Sequence, residues 1–372
     1  MNRWGGPAAG RMVRPMATAA AHTTERRLAG LVRRCYAGLD GPTLRQEIAT
    51  GLGQLLDVDA AFVATVDPLT LLMTGVHADE PLRSEAMRFL GNELSAMDVN
   101  TFAGLATGAD PVSTLDAATT GDREASARYT EIMAPLGLGD ELRAALRSGP
   151  YCWGVICLHR ADGPIGFGAR ELGLIRRVVP HLGEGLRRAV VRDLHADVLE
   201  PGLGPGLLVL GPGPEIVSAT PAAQAWLADL AADDWSEVTG LPVAVSAAVT
   251  ALQTTVDSPL APPARVQVRT ASGRWLSVHA DRLDGPAGPQ IGVMLEPVAP
   301  GDLRSLFLRA HNLTAAQERV AGLVLQGRST KEIAAALHIS VYTVQEHLTC
   351  VFDKVGVRSR RELAAALLGV PV

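Results

Sequence analysis

The sequence predicts an α+β chain of several units, two built on antiparallel sheets and a last one made of four short helices. Three observations carry this. At 372 residues the chain exceeds one ordinary domain, and two or three are expected. Runs rich in β-branched and aromatic residues, such as AAFVATVD, YCWGVICLHR, GLLVL and RVQVRT, read as strands between turn residues. From Leu306 onward the apolar residues recur at helical spacing and helix-start signals crowd together.

The first 22 residues, rich in Ala, Gly and Arg, have no continuous apolar core and are expected to be disordered. Leu28, Leu31, Val32 and Cys35 then open a helical pattern that ends near Gly41-Pro42. A second helix is predicted from Thr43 to Leu56, and AAFVATVD follows as a strand turning at Asp67-Pro68. Residues 78–146, rich in Ala, Gly and Asp, read as mostly helical and irregular. YCWGVICLHR (151–160) is a strong strand. A long helix follows from Ala169 to about Leu199. Its stripe Leu172, Ile175, Val179, Leu182 and Leu186 has coiled-coil-like spacing. This stripe either pairs two subunits, through residues such as Ile175 and Leu182, or lies on its own sheet. Pro180 should kink the helix or force a local adjustment.

PGLGPG (201–206) reads as a linker. The next unit offers two strands, GLLVL and EIVSAT, and a helix from Pro221. Three antiparallel strands follow, with a hairpin turn at Ala271-Ser-Gly273. The expected units are therefore 23–199, 200–300 and 305–372.

Composition narrows the function. Hydrophobic residues make up 47% and charged residues 20%, which suits buried cores and not a disordered chain. No apolar run approaches the roughly 18 residues of a membrane helix, and a cytoplasmic location without membrane contact is expected. The four cysteines, Cys35, Cys152, Cys157 and Cys350, have neither zinc-ligand nor disulfide-framework spacing and are expected to be reduced. Cys152 and Cys157, five apart on one strand, are expected to face opposite ways. The net charge of −5 hides an asymmetry: from His311 on, seven Lys+Arg face five Asp+Glu, leaving 27 against 34 in the remainder. Both lysines of the chain, Lys331 and Lys354, lie in that last segment. A mildly basic tail on an acidic body points to a polyanionic partner.

The tail itself is more explicit. Thr314 with Gln317, Ser329 with Glu332 and Ser359 with Glu362 each fit a capping box, and Ser340 fits an N-cap. Helices are therefore expected to start near 314, 329, 340 and 359. The second and third are joined by a short turn at His338-Ile339. Ile333, Ala334 and Leu337 face Val344 and Leu348, the apolar seam of a helix-turn-helix. The helix after Ser340 carries a second stripe of Tyr342, Gln345, Glu346, Thr349 and Asp353, polar but without Lys or Arg. In this motif that face lies against base edges in the major groove. Gln345, Glu346 and Thr349 are the expected base readers. Thr330, Lys331, Tyr342, Thr343, Lys354 and Arg358 are the expected phosphate-backbone contacts.

At these residues the sequence resembles the LuxR-type bacterial transcription regulators, over LTAAQERVAGLVLQGRSTKEIAAALHISVYTVQEHLTCVFDKVGVRSRRELAAALL, residues 313–368. The resemblance implies dimeric binding to a two-fold-related operator, often through the last helix, here with Leu363 and Leu367. It departs from many members at Gln345-Glu346, where a lysine commonly follows Thr-Val. The front unit is similar to a GAF-type sensor through DAAFVATVDPLTLLMTG and CWGVICLHR. The second unit resembles a PAS-type domain through GLLVLGPGPEIVSATPAAQAWL. The combination looks like a one-component regulator of actinomycete-like bacteria. It implies operator duplex, a second copy and an unknown small-molecule effector as partners, with RNA polymerase a further candidate.

Rival classes are set aside by missing residues. No lysine precedes Lys331, so a phosphorylated receiver domain and a P-loop ATPase both lack their lysine. No G-x-S-x-G or H-E-x-x-H is present, and no catalytic residue is expected. His77, His159 and His181 are not expected to hold a metal or haem, and no cofactor is expected. Phe62, Met73, Trp153 and Cys157 are the expected lining of a small-molecule pocket, because Trp153, Val155 and Cys157 should share one strand face. The alternative is a signal-binding protein whose helix-turn-helix meets a protein partner.

Overall fold

The computed structural model describes residues 15–163, 166–195, 203–231, 235–254, 263–285, 288–298 and 303–368. Most of the segment expected to be disordered, and the last residues expected of the long helix, lie outside this set. Residues 15–22 do not: helix α1 runs Pro15–Cys35. Ala17 to Ala21 supply the strong helix formers that extend it.

Helix α2 (Gly41–Leu55) starts where Asp40 accepts from the Thr43 amide at 2.8 Å, with Pro42 in the first turn. Then come β1 (Ala60–Val66), β2 (Met73–Ala78), α3 (Ala86–Ser95), α4 (Phe102–Thr107), β3 (Val112–Thr114) and α5 (Leu115–Ala118). After short 3₁₀ and π turns, β4 (Leu138–Ser148) and β5 (Tyr151–Ala161) form the central hairpin, and α6 (Ala169–Leu194) completes the unit. The five strands make one antiparallel sheet in the order β2-β1-β5-β4-β3.

The second sheet repeats this order. Strands β6 (Gly206–Leu210) and β7 (Ile216–Ala219) are followed by helices α7 (Pro221–Leu230), α8 (Trp235–Thr239) and α9 (Val243–Thr254). Strands β8 (Arg265–Arg269), β9 (Trp275–Gly285) and β10 (Gly288–Pro297) close a sheet ordered β7-β6-β10-β9-β8. Five helices end the chain: α10 (Arg304–Ala310), α11 (Ala315–Leu325), α12 (Thr330–Leu337), α13 (Val341–Val355) and α14 (Arg360–Leu368). The chain is therefore α+β, and α10 precedes the four expected C-terminal helices. Among the described residues no helix is long and apolar enough to cross a membrane.

Three expectations are corrected here. The stretch LGDELRAALRS, expected within a mostly helical region, is strand β4 and is buried over nine consecutive residues. Its charges are spaced as on a helix, but Asp140, Glu141 and Arg143 are buried in the sheet with partners from other elements. The stripe of α6 follows the second of its two readings and lies on its own sheet, which leaves Ile175 and Leu182 unavailable to a second copy. Ile175, Val179, Leu182 and Leu186 are buried with α1, α2, β4 and β5 in one core. The helix runs through Pro180.

The third correction concerns β5. Its pairing with β4 shifts between Leu146↔Gly154 and Arg147↔Cys152, a bulge that breaks the two-residue alternation. Cys152, Val155 and Cys157 therefore share one face, against β2, α3 and α4, whereas Trp153, Ile156 and Leu158 face α1, α2 and α6. Gly154 is required at the bulge, because a Cβ there would meet Leu186 Cδ1 at 2.4 Å and the Ala64 carbonyl at 2.6 Å.

Candidate nucleic-acid interface and sensor cavity

The helix-turn-helix is built from its caps outward. Thr314 and Ser329 accept from the Gln317 and Glu332 amides at 3.3 Å each, and those side chains accept back from the Thr314 and Ser329 amides. Ser340 accepts from the Thr343 amide at 3.0 Å and starts α13. Ser359 accepts from the Glu362 amide at 3.1 Å, while Glu362 accepts from the Arg358 amide, one residue earlier than a full capping box. His338, at φ 54°, turns the chain between α12 and α13, and Gly356, at φ 78°, ends α13.

These turns set the seam. Ile333, Ala334, Val344, Leu348 and Val351 are buried in one cluster with Leu363 and Leu367. Leu363 and Leu367, the residues of α14 expected at a dimer contact, are thus consumed inside the domain. On α13 the opposite face is open: Tyr342, Gln345, Glu346, Thr349 and Asp353 are exposed, Tyr342 at 69%. The six expected backbone contacts divide. Lys331, Tyr342 and Arg358 are exposed and Thr343 is half-buried beside Ser340. Lys354 is turned toward its own domain, donating to the Asn312 carbonyl at 2.7 Å and to Gln317 Oε1 at 2.8 Å. The Thr330 hydroxyl accepts from Arg360 Nη2 at 2.7 Å. Arg328 and Arg361 are exposed cations, legible in the sequence only as part of the basic tail.

A second feature that sequence reasoning missed joins this domain to the first sheet. Tyr151, at the start of β5, donates to Glu318 Oε1 at 2.6 Å. Burial and that carboxylate push the Tyr151 phenol up to about 12. Asn312 Nδ2 donates to Ser148 Oγ at 3.3 Å, and Arg187 of α6 donates to the Ala310 carbonyl. Glu184 gathers Ser148, Arg187 and Arg188. Burial raises its carboxyl, but these donors outweigh burial and hold it down at about 2.

On the far face of the first sheet lies a small cavity of about 30 Å³, room for about one water. Phe62, Met73 and Cys157, expected in a small-molecule pocket, line it with Phe89, Phe102 and Trp235. Trp153 does not, because the β5 bulge turns it to the other face. One side of the cavity is ionic. Arg128 donates from Nε to Glu141 Oε2 at 2.9 Å and pairs with Asp98 at 3.8 Å. Arg143 donates to Glu93 at 2.7 Å and stacks over Phe102. Burial pushes the Glu141 carboxyl up, yet Arg128 and Arg143 outweigh it and bring it down to about 2. Burial lowers His159 to about 4 against the opposing pull of Glu141.

The C-terminal geometry agrees with what the sequence matches. Residues 311–367 fit the family described as GerE, bacterial regulatory proteins of the luxR family. The spore germination protein GerE of Bacillus subtilis is 39% identical over 56 residues, covering 15% of this chain and 76% of that protein. The chain belongs to the LuxR family. The match takes in all of α11, α12 and α13, so the exposed face of α13 is the exposed face of the third helix of a LuxR-type domain. Among solved structures, Escherichia coli SdiA is similar over 94% of this chain and 99% of that one, at 12% identity and a TM-score of 0.36. The VqsR LBD domain of Pseudomonas aeruginosa covers 46% of this chain and 96% of its own, at 18% identity and 0.30. The phycoerythrobilin-bound GAF domain of a cyanobacterial phytochrome covers 45% and 96%, at 13% and 0.33.

Proposed function

We propose that this LuxR-family chain is a one-component transcription regulator of the cytoplasm, reading duplex DNA with α13 and sensing a signal through its GAF-like and PAS-like sheet units. The carrying observation is the two-sided character of α13. Val344, Leu348 and Val351 are fully used in the seam, while the short hydrogen-bonding side chains opposite have no role within the chain's core. Gln345 offers a donor and an acceptor on one amide, the pairing that suits adenine, and Glu346 accepts from cytosine. Lys331, Tyr342, Thr343 and Arg358 flank that face as phosphate anchors. Lys354 is reassigned as a strut, since its ammonium is held by Asn312 and Gln317.

Two copies on a two-fold-related operator belong to this proposal. Their contact is not made through Ile175, Leu182, Leu363 or Leu367, which are buried inside one chain. The test is selection of duplexes from a random-sequence pool by the full chain, with native mass spectrometry of the complex. A recovered inverted repeat bound by two chains is expected. Recovery of no motif, or binding without salt dependence, would overturn the proposal.

A further inference from the structure

The cavity face of the first sheet carries three groups that no DNA-reading role uses. Glu141 of β4 and His159 of β5 are direct cross-strand partners. Cys157 lies two residues before His159 and projects to the same face of β5. One potential ligand atom from each lies within 4.8 Å of the others, and all three residues are buried. We propose that Glu141, Cys157 and His159 form a binding site for one divalent transition ion of the zinc type, with the adjoining cavity supplying a fourth, exchangeable position.

The polar atoms point the same way. Glu141 Oε2 is taken by Arg128, but Glu141 Oε1 is buried and accepts no hydrogen bond. Buried polar atoms left in this state are uncommon and call for an occupant. His159 Nε2 stands 3.7 Å from Glu141 Oε1. Zinc–nitrogen and zinc–oxygen bonds of about 2.0–2.2 Å place two tetrahedral ligands about 3.3–3.5 Å apart, so this pair needs to close by only about 0.2–0.4 Å.

Charge decides between a cation and an anion. Two guanidiniums, Arg128 and Arg143, stand beside three carboxylates, Glu93, Asp98 and Glu141. The set is one charge short of neutrality on the positive side, counting His159 as the neutral imidazole that a metal ligand must be. An anion would deepen that deficit in a site of low dielectric. A divalent ion bound by a cysteine thiolate adds one net positive charge and cancels it. A thiolate, an imidazole and one carboxylate, with a coordination position left open, is a donor set that suits zinc and excludes calcium and magnesium. On binding, the Cys157 S–H bond breaks, its proton leaves to solvent, and the sulfur lone pair forms the metal bond.

The proposal is independent of DNA binding, and so is its test. The full chain, carrying Cys350→Ser to remove the exposed thiol, is stripped with chelator and titrated with cobalt(II) and with zinc. Uptake of one cobalt per chain with a near-ultraviolet sulfur-to-metal charge-transfer band is expected, and zinc should displace it. Cys157→Ser should abolish the band and weaken uptake at least tenfold. Because a change in this core can unfold the sheet, X-ray absorption of the zinc-loaded chain with Cys157 intact is the second arm. One sulfur at about 2.3 Å beside nitrogen and oxygen is expected. No uptake, a metal shell without sulfur, or an unchanged band in folded Cys157→Ser would each overturn the assignment, leaving a single water as the occupant.

Discussion

Lys354→Met separates two roles that the same lysine could play. In the sequence it stands where a phosphate anchor is expected, and there its loss should weaken all DNA sequences alike. In the structure its Nζ sits 2.7 Å from the Asn312 carbonyl and 2.8 Å from Gln317 Oε1, tying the end of α13 to the start of α11. Hydrogen bonds to a charged donor contribute about 1.5–3 kcal/mol each when shielded. Lys354 is exposed, water competes for both, and about 1–2 kcal/mol in total is the reasonable loss. Methionine keeps the apolar stem, and Gln317 Oε1 retains its bond from the Thr314 amide, so the cap of α11 survives. Amide hydrogen exchange over α11 and α13 is the assay, because a chain with several units has no single unfolding free energy. Exchange there should speed up about 5–30-fold, while the slope of log K against log salt stays unchanged. Unchanged exchange together with a slope smaller by about one would refute the strut. It would show that the ammonium leaves Asn312 for a phosphate.

Four further outcomes follow from the same geometry. Gln345→Ala should change the preferred operator at one base position by about 1–3 kcal/mol, read by repeating the duplex selection; an unchanged motif would remove Gln345 from the reading face. Tyr151→Phe should delete the bond to Glu318, costing about 1 kcal/mol and speeding exchange around 312–318 without altering the selected motif. Arg128→Met should leave Glu141 buried without its main partner and destabilise the first sheet by about 3–5 kcal/mol, visible as an earlier thermal transition in Trp fluorescence. Glu184, held down at about 2, binds its proton less readily folded than unfolded. Its contribution is therefore present above the ordinary glutamate pKa and is lost as pH falls from about 4.5 toward 2. Glu184→Gln should flatten the acid limb of the stability curve in that window.

What the sequence disclosed and what it hid divide along physical lines. The C-terminal helices were readable because their determinants are local: Thr314, Ser329 and Ser340 cap helices through partners three residues away, and Val344, Leu348 and Val351 show the period without outside help. The second sheet was readable for a similar reason, as its strands run between clear turns such as Ala271-Ser-Gly273. Strand β4 was not. Asp140, Glu141 and Arg143 look like a solvated helical face until partners from elsewhere in the chain arrive, the Asp116 and Phe167 amides for Asp140, Arg128 for Glu141 and Glu93 for Arg143, and no local rule counts such partners. The β5 bulge defeated a sound argument in the same way. Alternation placed Trp153 with Cys157, but a register shift set by the packing of Gly154 against Leu186 and Ala64 moved Trp153 to the other face. It also put Cys152 and Cys157 on the same side. That slip has a structural consequence, since it leaves the β5 side of the cavity wall to Cys157 and His159, where a tryptophan beside them would have filled it. Lys354 completes the pattern. Its position at the end of α13 was read correctly, yet whether its charge faces a phosphate or Asn312 depends on the turn after α10, where Asn312 adopts φ 53° and presents its carbonyl to α13.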